Sequence, residues 1–138
     1  MTDTWFINIF KNYQKLEKVI DTFMAPSRRS DNNTYCKSLS GFDFDSGINS
    51  ISDVQRRLSS RYFKVNPMSI NRHGTIEFRQ HQGSTDFEKI SNWVRFCAKL
   101  VEWSSKNTFT GVVNNIDEIP FISESEKTFF KTRAATLR

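Results

Sequence analysis

RYFKVNPMSINRHGTIEFRQHQGSTDFEKISNWVRFCAKLVEW, from Arg61 to Trp103, decides the fold. Tyr62 to Val65 reads as a strand that Asn66-Pro67 ends and turns. His73 to His81 reads as a second strand, antiparallel to the first after a link of about seven residues. Side chains alternate across a strand, so Ile76 and Phe78 face one way while Thr75, Glu77, Arg79 and His81 face the other. A hydroxyl, a carboxylate, a guanidinium and an imidazole on one face suit a metal ion and an anionic substrate. A solvated face that happens to be charged has the same pattern, with Glu77 and Arg79 as a simple ion pair. Gly83 breaks the strand, and Thr85-x-x-Glu88 has the form of a capping box, with Asp86 placed for the helix dipole. Phe87, Ile90, Trp93, Val94, Cys97, Leu100 and Val101 then trace a helix of about five turns. On that face, beside Ala98, Cys97 reads as a buried thiol.

Upstream, Phe6, Ile9, Phe10, Tyr13, Leu16, Val19, Ile20 and Phe23 make an amphipathic helix with Thr2 or Asp3 as cap and Pro26 as stop. Trp5 and Ile7 lie off the main stripe. They mark either an ordinary core helix or a second apolar face for a missing half or a partner. Arg28 and Arg29 sit in a polar stretch that can present guanidinium groups to phosphate, or simply to solvent. Gly41 to Ser50, which contains Phe42-Asp43-Phe44-Asp45, reads as a short edge strand or an irregular loop. Ser52 can cap a short helix through Leu58, and Arg56, Arg57 and Arg61 form a second basic patch. Tyr62 and Phe63 interleave with that patch, as in some nucleic-acid platforms. Downstream, Thr108 to Val113 is a candidate strand and Asn114-Asn115 a turn. Ser123-x-x-Glu126 is a capping box for a final helix with Phe129 and Phe130, whose basic end (Lys131, Arg133, Arg138) complements the helix dipole.

The run HGTIEFRQHQGS (73–84) followed by FEKISNWVRFC (87–97) resembles the amidoligase family, ATP-dependent carboxylate–amine ligases of the glutamine-synthetase-like superfamily. Pro26-Ser27-Arg28-Arg29, Asn33-Thr34-Tyr35-Cys36 and Arg61-Tyr62-Phe63-Lys64-Val65-Asn66 fit the same family in the same order, so the likeness runs from about Leu16 to Trp103. The resemblance implies that Glu77 ligates a metal, that Arg79 binds phosphate or an acyl-phosphate, and that His81 orients substrate, with Mg²⁺ and ATP as cofactors. A carboxylate is a hard ligand suited to Mg²⁺ alongside nucleotide phosphates. Arg79, about 7 Å along the same face, would grip and stabilise the transferring phosphoryl group. His73, at the strand edge, reads as a structural histidine. The family also places acidic, ATP-holding strands upstream of this part. The expectation is therefore one domain, 1–138, corresponding to the C-terminal half of an amidoligase: α+β, a small antiparallel sheet packed by two or three helices.

The 138 residues carry 20 basic and 15 acidic side chains, a formal charge of +5, and 13 Phe, enough aromatic area for one core. The charge suits nucleic acid, nucleotide phosphate or an acidic protein surface without selecting among them. Only Cys36 and Cys97 are cysteines, without a CxxC pair. No Walker loop, zinc spacing or Ser/His/Asp triad stands out. No signal peptide or membrane span is read, which points to the cytoplasm with reduced thiols.

Three functions follow. The first is an amidoligase-like domain from a phage or mobile element, reused as a cofactor-free binding or inhibitory protein against a nucleoprotein or RNA, such as a CRISPR effector. Its phosphate or nucleic-acid contacts would be Arg28, Arg29, Arg56, Arg57 and Arg61. The second is a ligase completed by another polypeptide or by dimerisation. The third is a remnant of a split gene.

Overall fold

Residues 1–137 are described by a computed structural model; Arg138, counted above in the basic tail, lies outside them. The described residues form an α+β fold of five α-helices, two 3₁₀ turns and a two-stranded antiparallel sheet.

Helix α1 (Asp3–Thr22) starts where the Thr2 hydroxyl accepts the Trp5 amide at 3.1 Å. Its Phe6, Phe10, Tyr13, Leu16 and Ile20 are fully buried. The second apolar side is an internal contact. Ile7 is buried, and the Trp5 indole donates to the Val101 carbonyl at 2.7 Å, on helix α4 (Phe87–Ser104). Asn8 and Asn12 reinforce the packing by donating to the Ser104 carbonyl and hydroxyl. Past Thr22 the chain breaks into a 3₁₀ turn at Pro26–Arg28.

Helix α2 (Ile51–Leu58) is capped by Ser50 rather than Ser52. Ser50 has the extended backbone of a cap and its hydroxyl accepts the Asp53 amide at 3.1 Å, whereas Ser52 already lies in the first turn. Phe42 to Asp45 is irregular rather than a strand.

The two strands are shorter than the alternation suggests. β1 (Val65–Asn66) pairs antiparallel with β2 (Glu77–Phe78), Val65 opposite Phe78 and Asn66 opposite Glu77. The link folds into a helix, α3 (Ser69–His73), so His73 belongs to a helix end. Two local interactions account for this. The Asn66 side chain accepts the Met68 amide at 2.8 Å and turns the chain, and Gly74, at φ +68°, supplies the left-handed cap that closes α3. The ladder continues as single bonds, with the Arg79 amide donating to Lys64. On its other side the Tyr62–Lys64 backbone exchanges bonds of 2.7 and 2.9 Å with Lys37.

Helix α4 is capped by Asp86, whose carboxylate accepts the Lys89 amide at 3.1 Å, and not by a Thr85–Glu88 box. An anionic cap is favoured at this end of the dipole. The buried face of α4 is Trp93, Phe96, Cys97 and Leu100, spaced at three and four residues. Phe96 is the position the sequence stripe omits. Phe87, Ile90 and Val94, which the stripe includes, are exposed at 81%, 40% and 58%, rotated off that face.

Thr108 to Val113 makes no strand; its backbone bonds to α1 instead. The Val113 amide donates to Lys15 and the Phe109 amide to the Asn12 side chain. A 3₁₀ turn at Ile116–Glu118 leads to helix α5 (Glu124–Thr136), where both halves of the Ser123–Glu126 capping box form. α5 inserts Phe130 against Phe23 and Phe96, with ring centroids at 4.3 and 5.6 Å. Among the described residues, no helix is long and apolar enough to cross a membrane.

One polar cluster lies inside this apolar frame. Lys64 is fully buried, and its ammonium sits 3.2 Å from Glu17 and 3.0 Å from Asp21, one turn apart on α1. Glu17 also accepts from the Ser38 hydroxyl and the Leu39 amide, and Asp21 from the Ser30 amide and the Gln80 side chain. Tyr13 donates to Gln80 at 2.6 Å, and burial holds its phenol well above the ordinary range, so the proton stays in place. Removing one partner of a buried ion pair strands the others without compensation. Lys64→Met, which keeps the bulk and deletes the charge, should lower unfolding free energy by about 3–5 kcal/mol in urea denaturation. A cost near zero would mean that the two carboxylates are neutralised without the lysine.

Candidate functional site

Gly74 reverses the chain so that the end of α3 faces β2. Between them, Arg61, Arg72, His73, Glu77 and Arg79 surround a cavity of about 230 Å³. Asn66, Met68 and Ser69 line its remaining wall. Glu77 and Arg79 occupy one side of the strand, as the alternation implies. They bind each other, Arg79 Nη1 to Glu77 Oε1 at 2.6 Å, rather than standing apart. Asn66 donates to the same oxygen at 3.3 Å. The Arg79 bond is the main cause, and Asn66 a lesser one, of a Glu77 carboxyl held below the usual carboxylate range against the opposing effect of burial.

Arg79 is itself fixed from behind. Its Nε donates to the Tyr35 carbonyl at 3.1 Å, and its guanidinium lies 5.4 Å from the Tyr62 ring centre. Arg61 lies 5.0 Å from the same ring and donates to the Tyr62 hydroxyl. Tyr35 meets Tyr62 edge to face at 5.5 Å and remains 62% exposed. The result is an exposed aromatic step flanked by guanidinium groups at the rim of the cavity.

The other candidates separate. His81 does not line this cavity, because the chain leaves strand geometry after Phe78. It stacks on Trp93 at 5.6 Å, and its Nδ1 lies 2.7 Å from the Gln82 carbonyl. Arg28 is a backbone clamp. Its guanidinium donates to the carbonyls of Arg79 and Gln80 at 2.7 and 2.9 Å, which holds the chain after β2 in place. Arg29 bonds the Met24 carbonyl and lines a different cavity. Arg56 pairs with the Asp53 carboxylate, and Arg57 donates to the backbone carbonyl of Asp43, so both guanidinium groups are engaged within their own segment. The Asp43 and Asp53 carboxyls are both held low, chiefly by backbone amides. Of Arg28, Arg29, Arg56, Arg57 and Arg61, only Arg61 joins Arg79 in the cavity. Arg72 joins it without having been singled out as a ligand, and Tyr35 stands outside the lining, bonded to Arg79 through its carbonyl. Arg72 looks like a loop arginine until α3 forms, whereas the exposed Tyr35 belongs to a motif already quoted.

The donor set does not fit a resident Mg²⁺. The ion takes carboxylate and phosphate oxygens, and this cavity offers one carboxylate, already bonded to a guanidinium and flanked by two more. No group of three His, Cys, Asp or Glu side chains that could hold a metal occurs among the described residues. What the arrangement can do is attract an anion and stack a planar ring.

Residues 44–101 match the model of a family described as "Putative amidoligase enzyme". The matched segment contains α2, both strands and most of α4, and thus every cavity residue from Arg61 to Arg79; Arg28, Arg29 and Tyr35 precede it. No curated protein and no solved structure matches the chain.

Burial, the largest cause, lowers the His81 pKa below its usual value. The folded state therefore favours the neutral ring. This contribution is present above about pH 6.5, where the unfolded ring is also neutral, and is lost as pH falls through the lower folded value. His81→Phe should flatten the decline in thermal midpoint between about pH 7 and pH 5. An unchanged slope would assign that titration to another group.

Proposed function

We propose that this chain is a binding protein with an amidoligase-like segment, and that the cavity between α3 and β2 holds the backbone phosphate of a single-stranded RNA. One observation carries this reading: the only carboxylate of the cavity is tied to Arg79, while Arg61 and Arg72 remain to meet an anion. Tyr35 adds an exposed ring, edge to face with the Tyr62 ring on which Arg61 lies, and stacking of bases on aromatic rings with phosphates on arginines is the usual physics of single-strand binding. An inhibitory role of a phage-encoded protein toward a CRISPR effector or another nucleoprotein extends the proposal. A chain that holds RNA withholds it from the effector.

A second reading, an ATP-dependent carboxylate–amine ligase completed by another polypeptide or by dimerisation, is favoured by the family match alone. Glu77 separates the two. In RNA binding its carboxylate opposes the ligand, whereas a ligase would need it for metal.

Fluorescence anisotropy with a labelled single-stranded oligouridylate tests the proposal. Affinity should fall as salt rises, and reversing Arg61 and Arg72 to Glu should weaken it by about tenfold or more. Tyr35→Ala should cost about 1–3 kcal/mol, and Glu77→Gln should leave binding intact or tighten it. Failure of the wild-type chain to bind overturns the reading. Saturable Mg²⁺-ATP binding that Glu77→Gln abolishes would establish the ligase reading in its place.

A further inference from the structure

A second cavity, of about 400 Å³, opens between α1, α5 and the segment around Asn115. Its size falls within the range of small-molecule sites, which are apolar basins with a few convergent polar groups. One wall is apolar: Val19 and Phe23 from α1, Phe130 and Ala134 from α5, and Ile116. Phe23 and Phe130 form its base as a close pair, 4.3 Å between ring centres.

The polar wall is Arg29, Asn115 and Lys131, with Thr22, whose hydroxyl donates to the Val19 carbonyl, and Asn114, whose side-chain oxygen is taken by Lys18. Arg29 faces the cavity with its Nε on the Met24 carbonyl and Nη2 at 3.5 Å from the Leu137 carbonyl, and neither acceptor carries charge. Asn115 uses its side-chain oxygen to accept the Asp117 amide, which leaves its NH₂ group for a ligand. Lys131 stands at the rim, with both Asp117 oxygens at 2.8 Å. Among the lining residues there is no Asp or Glu. An apolar base beside Arg29, whose bonds go to neutral carbonyls, and the Asn115 amide matches a molecule with one anionic end and one apolar end.

We propose that this cavity binds a small amphipathic monoanion, an aromatic or branched aliphatic carboxylate, with its apolar body on Phe23 and Phe130 and its carboxylate at Arg29 and Asn115. The site is separate from the Arg61–Arg79 cavity, shares no residue with it, and does not depend on the RNA-binding reading.

The test uses 4-phenylbutyrate and its uncharged amide, followed by amide NMR shifts of the full chain. The acid should give saturable shifts at Ala134 and Phe130, with the amide about tenfold weaker because it lacks the charge for Arg29. Arg29→Gln should bring the acid down to the amide's affinity. Ala134→Leu, which fills the basin, should abolish both. The comparison of acid with amide needs no variant and stands even if Ala134→Leu fails to fold. Absence of saturation, equal affinity for acid and amide, or shifts centred on Arg61–Arg79 would each overturn the proposal.

Discussion

A lysine with no access to water sets the terms of this structure. The Lys64 ammonium needs compensating charge and hydrogen bonds inside the core, and α1 supplies both carboxylates from one face, Glu17 and Asp21. Meeting that demand ties the residue that enters β1 to the helix. The same carboxylates anchor the neighbouring segments, because Glu17 takes the Ser38–Leu39 turn and Asp21 takes Ser30 and Gln80. A two-stranded sheet with so few ladder bonds would be marginal alone. Here it is positioned by charge from beneath as much as by its own pairing.

The arginines divide along the same line between inside and outside. Arg28 reaches across to the carbonyls of Arg79 and Gln80 and fixes the exit of β2. This aims Arg79 outward, where Glu77, Tyr35 and Tyr62 hold it. Arg28 thus acts on the cavity through the backbone, bonding the carbonyl of a lining residue while its own side chain stays outside the lining. Arg29, the next residue, faces the opposite way, into the basin beside α5. An adjacent pair that reads as one phosphate clamp in the sequence serves two separate places in the fold.

Periodicity over long helices made α1 and α5 legible, including the Ser123–Glu126 box. The same method overextended the strands. Alternation from His73 to His81 continues on paper, but the Asn66 turn and the Gly74 cap draw five of the intervening residues into a helix, and only Glu77–Phe78 pairs. The Glu77–Arg79 juxtaposition survived because it needs just two residues of strand; His81 lay beyond it. On α4, counting apolar residues admitted Phe87 and Val94 and passed over Phe96, since hydropathy does not tell which of two adjacent stripes meets the core. The Lys64 cluster was hidden for a different reason. A lysine in a strand reads as solvent-facing, and its burial follows only from partners 43 and 47 positions away in the chain.

The brevity of the β1–β2 ladder carries a consequence for motion. The segment between Pro67 and Phe78 is held by two paired positions, by the side-chain bonds of Gln55 to the Pro67 carbonyl and of Asn71 to Gln55, and by Ile70 and Ile76 against the core, while the polar cluster pins the chain on both sides, at Lys64 and at Gln80. That arrangement defines a segment with fixed ends and few backbone ladder bonds, the profile of a unit of local opening. Arg72 and His73 ride on that segment, so the width of the cavity is an adjustable dimension, whereas Arg79, clamped beyond the segment, is the cavity's fixed jaw.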